Sequence, residues 1–173
     1  MKPAAEATAP RQPKAAARRR RAAPTLDDSA MLHLVGYAAT RASLELKKVF
    51  ALHMEPHGLR IAEFSILMLV AGNDEVNQKQ LGQALDISPP NMAVTLDRMA
   101  ERGWIERVRS THDRRAQHIH LTKAGRVFTE RMRKISTTME EPSLSALSRA
   151  ERALLIEMLR KLVPGGMARA PDA

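Results

Sequence analysis

Apolar residues recur at three- and four-residue steps along two stretches near the start of the chain, which is the spacing of one helix face. The first stretch runs from Leu26 to about Met54, and the second from about Ile61 to Ala71. A proline and a glycine at residues 56–58 separate the two predicted helices. The second is apolar almost all round, so we expect it to lie buried between other elements.

Two shorter helical segments follow and are joined by a link of only two residues. The first runs from about Gln78 to Leu85, where Asn77 and Gln80 are spaced as a capping box. The second runs from Pro89 to about Arg102, with Ser88 as its N-cap. Because helices joined so tightly must cross at a steep angle, this pair predicts a helix-turn-helix.

Beyond this pair the hydrophobic period changes from 3.6 to 2. Trp104 to Val108 and Gln117 to Leu121 are short strand patterns, and the residues between them are polar and charged. This pattern predicts a hairpin with a basic tip, or wing. Two further amphipathic helices are predicted, from about Lys123 to Glu140 and from about Ser148 to the proline at 164.

The first, penultimate and last predicted helices each carry an apolar face. A single small DNA-binding module cannot cover all three of these faces. A second subunit would cover the excess. The expected fold is therefore mainly α, a winged helix-turn-helix with N- and C-terminal dimerisation helices. The expected domains are a disordered basic tail (1–25), a helical dimerisation region (26–60 and 123–164), a winged helix-turn-helix lobe (61–122) and a disordered tail (165–173).

The charge is concentrated near the start of the chain. The net charge is +9, and residues 1–25 carry seven basic residues against one acidic residue, so the rest of the chain is only mildly basic. The tail could contact DNA or only keep the protein in solution, and its arginine-rich composition also resembles a transit peptide. Without a cysteine, thiolate metal sites and thiol redox switches are excluded. Without an apolar run long enough for a bilayer, we expect a cytoplasmic, nucleoid-associated protein that does not use the membrane.

The second helix of a helix-turn-helix fits the DNA major groove, which is about 12 Å wide, and presents its first residues to the base edges. Asn91 is suited to adenine, and Ala93 and Val94 to thymine methyl groups. Ser88 and the free N–H groups at the helix start suit a phosphate. The predicted DNA-binding residues are Ser88, Pro90, Asn91, Ala93, Val94, Thr95, Arg98, Arg107, Arg109, Asp113, Arg114 and Arg115.

The wing supplies the second part of this predicted interface. A basic hairpin tip beside such a helix can insert an arginine into the narrow minor groove, where the potential is most negative. Asp113 would orient a neighbouring arginine. Taken alone, the start of the second helix could be no more than a good N-terminus, and Asp-Arg-Arg no more than a solvated turn. Their succession favours DNA contact.

The stretch from about Gly58 to Gly125 closely resembles the MarR family of bacterial regulators. The resemblance implies an obligate homodimer that binds palindromic operators; most members repress, and many release DNA when a small phenolic or aromatic acid binds. The family's wing motif, Asp-x-Arg, corresponds to Asp113 and Arg115, whereas Ala93 and Val94 stand where many members carry an arginine or a second hydroxyl. The motifs that carry the resemblance are Gln80-Leu-Gly-Gln-Ala-Leu85, Ile87-Ser88, Leu96-Asp-Arg-Met-Ala-Glu-Arg-Gly103, Trp104-Ile-Glu-Arg107, Asp113-Arg-Arg-Ala116 and His120-Leu-Thr-Lys-Ala-Gly125.

In such proteins the ligand pocket lies between the dimerisation helices and the DNA-binding lobe. His33, Tyr37 and Arg41 are four residues apart and would share one helix face. Together with Phe64 and Met68 on the second helix, they could bind a carboxylate and a hydroxyl. The alternative is a half-buried helix face with an interhelical salt bridge.

Other chemistry has little support in the sequence. His118 and His120 alternate on a strand but lack an obvious third metal ligand. A nucleophile–base pair and a phosphate-binding glycine loop are both missing. We therefore expect no metal, no cofactor and no enzymatic activity. The prediction is a ligand-responsive dimeric repressor acting on double-stranded DNA, with an effector-independent architectural DNA-binding protein as the alternative.

Overall fold

The computed structural model describes residues 26–109 and 117–163, so the predicted tails and the predicted tip of the wing lie outside the described residues. The fold is mainly helical, as predicted. Short 3₁₀ turns at Ser29–Met31 and Glu55–His57 flank the first helix. The elements are α1 (Val35–Met54), α2 (Ile61–Ala71), α3 (Gln78–Leu85), α4 (Pro89–Glu101), β1 (Ile105–Arg109), β2 (Gln117–Leu121), α5 (Lys123–Ser136) and α6 (Arg149–Lys161).

The first helix begins at Val35 and not at Leu26, so the predicted start was wrong. A 3₁₀ turn at Ser29–Met31 precedes it, and Asp27 Oδ1 accepts a hydrogen bond at 3.0 Å from the backbone N–H two residues on. Leu34 then has an extended backbone, with ψ at 115°. The side chain of an aspartate competes with helix formation by bonding nearby backbone groups, and here it closes a separate short turn.

The helix-turn-helix forms as its capping residues predict. Asn77 Oδ1 accepts from the Gln80 N–H at 2.9 Å, and Gln80 Oε1 accepts from the Asn77 N–H at 2.8 Å. Asp86 ends α3 in the left-handed region, with φ at 50°, and the Ile87 N–H donates to the Gly82 carbonyl at 2.9 Å. These local bonds fix the sharp turn between α3 and α4.

A single aliphatic core joins α2, α3, α4, the two strands and α5. It also includes Met54 at the end of α1 and Leu59 in the α1–α2 corner. The most deeply buried side chains of this core are at most 2% exposed and include Ile66, Leu67, Leu81, Met92, Leu96, Met99, Ile105, Ile119 and Met132. Because Met132 belongs to α5, that helix is packed into the same core as the helix-turn-helix.

β1 and β2 pair antiparallel, from Ile105 opposite Leu121 to Arg109 opposite Gln117. β2 has the predicted bounds, and β1 begins one residue later than predicted. The Ile119 N–H donates to the Val76 carbonyl at 2.7 Å and ties the hairpin to the segment before α3. A helix-turn-helix followed by a two-stranded hairpin is a winged helix-turn-helix, as predicted.

The start of α5 is locked against the end of the helix-turn-helix. Thr122 Oγ1 accepts from the Gly125 N–H at 2.9 Å and donates to the Gly103 carbonyl at 2.6 Å. The rings of Trp104 and Phe128 stack with centroids 4.5 Å apart. α5 ends at Ser136, earlier than the predicted Glu140, and turns follow up to α6.

The last helix packs little of its surface against the rest of the described chain. Ser148 and Glu151 form the predicted capping box at its start. None of the α6 residues is buried. Its exposed large apolar side chains are Leu154, Leu155, Ile156, Met158 and Leu159, followed after the helix by Leu162 and Val163.

Candidate nucleic-acid interface

The outer side of α4 carries most of the predicted DNA-reading residues. Pro90 and Asn91 are exposed in the first turn, and Val94 is 62% exposed one turn later. Ala93 and Thr95 beside it are half-buried. The opposite side of the helix packs into the core through the fully buried Met92, Leu96 and Met99. The helix therefore presents an amide and small apolar groups outward, the side-chain types that read adenine and thymine edges.

Two hydroxyl groups near the helix start differ in what they bond. Ser88 occupies the N-cap position as predicted, but within the described chain its side chain makes no capping hydrogen bond and is exposed. The Thr95 hydroxyl donates to the Asn91 carbonyl at 2.8 Å. The predicted free N–H groups of this helix start reduce to that of Asn91, because Pro89 and Pro90 have no N–H and the Met92 N–H donates to the Ser88 carbonyl at 2.9 Å. The Ser88 hydroxyl and the Asn91 N–H are therefore placed to donate to a phosphate, whereas the Thr95 proton is used within the helix.

The guanidinium of Arg98, predicted to contact DNA, has a partner inside the protein. Its Nε donates to Glu63 Oε1 at 2.9 Å, and Glu63 is 1% exposed in α2. Arg102, which follows α4, lies on the same side with its Nη1 3.9 Å from Glu63 Oε2. The sequence does not reveal this cluster, because Glu63 is 35 residues from Arg98.

Arg107, another predicted DNA contact, is paired in a similar way. Its Nη2 lies 2.6 Å from Asp97 Oδ1, which joins β1 to α4. Arg109 at the end of β1 is exposed. Asp113, Arg114 and Arg115 lie outside the described residues. The hairpin is thus attached to α4 by an ion pair as well as by the chain.

Three polar residues of α3 lie next to the start of α4 and were missed from the sequence. Gln78 Nε2 donates to the Pro89 carbonyl at 3.3 Å, and Lys79 and Gln83 are exposed. All three line an open cavity of about 860 Å³ that also reaches Ser88. Because Lys79 and Gln83 are four residues apart, they share one helix face, and this spacing in the first helix of the pair was the available signal.

The five predicted ligand-binding residues fall into two groups. Phe64 packs edge-on against Phe50 with ring centroids 5.6 Å apart, and Met68 lines a cavity of about 700 Å³ beside β2 and α5. Tyr37 and Arg41 lie near the start of α1, and Tyr37 is about 20 Å along the helix from Phe50, at 1.5 Å per residue. Within one chain the two groups therefore lie at different positions along the axis of α1.

The predicted ligand-binding face of the first helix, formed by His33, Tyr37 and Arg41, is also incomplete. His33 precedes α1, so it does not share a helix face with Tyr37 and Arg41, and that prediction was wrong. The Tyr37 hydroxyl donates to Asp28 Oδ2 at 2.6 Å, and this hydrogen bond raises the pKa of Tyr37 above its ordinary value. Both His33 and Arg41 are exposed.

The described residues hold neither a cluster of metal-ligating side chains nor a membrane-spanning helix. Over 26–109 and 117–163, His, Asp and Glu side chains form no group of three that could hold a metal ion. The helices in these same two stretches are all too short or too polar to cross a membrane.

The exposed α4, the tight turn before it and the hairpin after it define a winged helix-turn-helix protein. The sequence profile of the MarR family matches residues 57–116. The HTH-type transcriptional regulator YpoP of Bacillus subtilis is 30% identical over 100 residues, which are 58% of this chain and 71% of the relative.

Two solved structures of the transcriptional repressor CouR are also similar. The complex with a 23-mer DNA duplex is 34% identical, covers 80% of this chain and 99% of CouR, and has a TM-score of 0.74. The complex with p-coumaroyl-CoA is 32% identical, covers 82% and 99%, and has a TM-score of 0.71. The chain belongs to the MarR family of transcriptional regulators.

Proposed function

We propose that this chain is a homodimeric repressor that binds palindromic operator DNA and releases it when a small aromatic acid or its thioester binds. The observation that carries the DNA-binding part is the outer surface of α4, where Asn91 and Val94 face solvent beside the hairpin. The similarity to CouR, solved on a DNA duplex, supports the same part. Such a regulator would act at the nucleoid, in the cytoplasm.

Base reading and phosphate contact are assigned to different residues. Asn91, Ala93 and Val94 would read base edges, with Pro90 and Thr95 shaping the same surface. Ser88, Lys79 and Arg109 would contact phosphates. Arg114 and Arg115, oriented by Asp113, would reach the minor groove. Arg98 and Arg107 hold their protein partners in this proposal and support α4 and the hairpin.

The apolar surface of the terminal helices supports a homodimer. α6 has no buried residue, and it exposes a large apolar side chain at almost every turn. α1 adds the exposed Val35, Leu44 and Leu52. Contiguous apolar surface of this kind marks an interaction site in a protein that remains in solution. A symmetric dimer would place two copies of α4 about one turn of DNA apart.

The effector part of the proposal comes from the two residue groups on α1 and α2. Phe64 and Met68 supply half-buried apolar surface, and Tyr37 and Arg41 supply a phenol and a cation at the other end of α1. We propose that dimerisation brings a pocket together from both groups, with His33 near its entrance. CouR has been solved with p-coumaroyl-CoA, an aromatic acid carried as a thioester. The ligand class is therefore an aromatic acid or its coenzyme A ester.

A two-stage experiment tests this function. The purified protein is used to select bound duplexes from a random pool, and a palindromic sequence with two half-sites should emerge. Affinity for the selected duplex is then compared with a shuffled duplex of the same length. Equal affinity for the two would reject a sequence-specific regulator.

The second stage adds benzoic and cinnamic acids and their coenzyme A esters to the protein–operator complex. An effector must bind the DNA-free form more tightly, since a ligand with no preference shifts nothing. Release of the operator by one of these acids or by one of their coenzyme A esters supports the proposal. Specific binding that none of them releases would favour the effector-independent DNA-binding protein instead.

A further inference from the structure

A buried carboxylate connects the start of α2 to the second half of α4. The Glu63 side chain is only 1% exposed. Its Oε2 accepts a hydrogen bond from the Arg60 backbone N–H at 2.9 Å, and its Oε1 accepts from Arg98 Nε at 2.9 Å. The guanidinium of Arg102 lies 3.9 Å from Oε2. Buried charges require partners, and the two cationic partners here come from α4 and the residue that follows it.

Arg102 extends this cluster to two further parts of the lobe. Its Nη1 donates to the Gly58 carbonyl in the α1–α2 corner at 2.6 Å. Its guanidinium carbon also lies 4.5 Å from the centroid of the Trp104 ring, which stacks on Phe128 of α5. One ionic cluster therefore connects the α1–α2 corner, α4 and the start of α5.

The geometry of the cluster adds a constraint on the rotation of α4 to the packing of its buried apolar face. Arg98 and Arg102 are one turn apart, so they lie on one side of the helix. Arg98 donates a charge-assisted hydrogen bond to the carboxylate, and such a bond of a guanidinium has a fixed geometry, whereas Arg102 lies at ion-pair distance from it. Rotating α4 about its axis would break the Arg98 bond, separate Arg102 from the carboxylate and move Asn91 and Val94 relative to the bases.

The net stability gained from such a cluster is expected to be small. The attraction between buried charges is largely offset by their loss of hydration, so replacing a whole buried pair is often tolerated. What the cluster can contribute is orientation, because a polar network has one satisfied arrangement and an apolar contact has many. A role in recognition can therefore be separated from a role in folding.

We propose that Glu63 is a positioning residue for operator recognition, which sets the rotation of α4 through Arg98 and Arg102, and that Arg98 acts through Glu63 and not by contacting DNA. The inference rests on the proposed function, since it requires α4 to read base edges. It assigns Glu63, a residue of α2 that does not face DNA, a part in sequence selectivity.

The test measures binding of the selected operator and of the shuffled duplex over a range of salt concentrations. The variants are E63Q, R98Q and the double variant E63Q/R98Q. E130Q is the control, because it removes the same charge from the exposed Glu130–Arg133 pair on α5. Dimer assembly and thermal unfolding are recorded for each variant.

E63Q should lower operator affinity about tenfold, which corresponds to about 1.4 kcal/mol. Binding of the shuffled duplex should stay nearly the same, because phosphate contacts that are independent of sequence do not need the exact rotation of α4. The salt dependence should also stay the same, and E130Q should behave as the wild type. A folded E63Q that keeps full operator affinity, or loses both kinds of binding in parallel, would overturn the proposal.

The double variant decides how Arg98 acts. If Arg98 works through Glu63, adding R98Q to E63Q costs little more, since the two residues share one interaction. If Arg98 contacts a phosphate, the two losses add and the salt slope falls by about 1, which would overturn the proposal.

Failure to fold and failure of the proposed function are kept apart by two controls. If E63Q does not assemble, the double variant and R98Q alone give the same comparison of operator, shuffled duplex and salt slope. In the double variant the buried carboxylate and Arg98 are both neutralised, and the partly exposed Arg102 keeps its hydrogen bond to the Gly58 carbonyl. A wild-type protein that selects no operator fails the proposed function before any variant is measured, and this inference falls with it.

Discussion

Gly125 is a residue whose lack of a side chain the fold requires. A Cβ built there would lie 1.8 Å from the carbonyl oxygen of Trp104, a backbone atom that cannot turn aside. Gly125→Ala should therefore destabilise the protein by at least about 3 kcal/mol, the upper end of the usual range for overpacking. Denaturant unfolding at fixed protein concentration measures this loss.

Gly36 in α1 provides the matched control, since a Cβ there would meet nothing within 4 Å in the described chain. Gly36→Ala should leave the stability equal or raise it by about 0.5–1 kcal/mol, because alanine loses less conformational entropy in a helix. A Gly125→Ala protein as stable as Gly36→Ala would show that the start of α5 can move away from the Trp104 backbone.

The arginines of the lobe show where sequence reasoning about single residues stops. The sequence places Arg98 on the second helix of the helix-turn-helix and Arg107 on the first strand of the hairpin, and the structure has them on α4 and β1. Their partners, Glu63 and Asp97, lie on other elements and are found only once the chain has folded. The element that carries an arginine is therefore predictable from sequence, but the carboxylate with which that arginine pairs is not.

At the scale of elements, the caps of α3 and α4 differ in a way that can be measured. Asn77 accepts a hydrogen bond from the third residue of α3, whereas the side chain of Ser88 makes no such bond to α4. Asn77→Ala should cost about 1 kcal/mol of stability, the typical value for losing an N-cap bond. Ser88→Ala should cost clearly less and should instead weaken operator binding, because its hydroxyl is free for a phosphate.

Unfolding and operator titration of these two variants, measured in parallel, separate the two roles. Equal losses of stability would show that Ser88 caps α4 in solution. Unchanged operator affinity in Ser88→Ala would remove that hydroxyl from the proposed interface.

Helix bounds were predicted well where capping residues mark them and poorly where only periodicity does. α3 and α6 begin next to capping boxes, and their starts agree with the sequence. α1 has the right apolar spacing from Leu26 onward, yet it begins at Val35, because Asp27 closes a turn of its own. The predicted end of α5 was too late because it also rested on periodicity, and the apolar spacing continues into the turns after Ser136. Periodicity reports which face is apolar, while the caps report where the helix begins and ends.

At the scale of the whole molecule, the surface left apolar is the feature that one chain does not explain. The core of the lobe is complete, with side chains of α2, α3, α4 and α5 fully buried. Most of the large apolar residues that stay exposed lie on α1 and the segment before it, and on α6 and the two residues after it. Only the end of α1 enters the core, and α6 contributes no buried residue. The proposed homodimer uses this surface and leaves the outer side of α4 free for DNA.

Leu159→Lys tests whether α6 forms the dimer interface. Leu159 is 44% exposed in the chain and lies in the middle of the apolar residues of α6. A lysine buried at an apolar interface would lose its hydration without gaining a partner, so the dimer should dissociate. Val127→Lys is the control, because Val127 on α5 is 70% exposed and the substitution changes apolar surface and charge in the same way.

Sedimentation equilibrium should report monomers for Leu159→Lys and dimers for Val127→Lys. Operator affinity should fall by at least about tenfold for Leu159→Lys, because a monomer engages one half-site instead of two. A dimeric Leu159→Lys protein with full operator affinity would place the dimer interface elsewhere than α6.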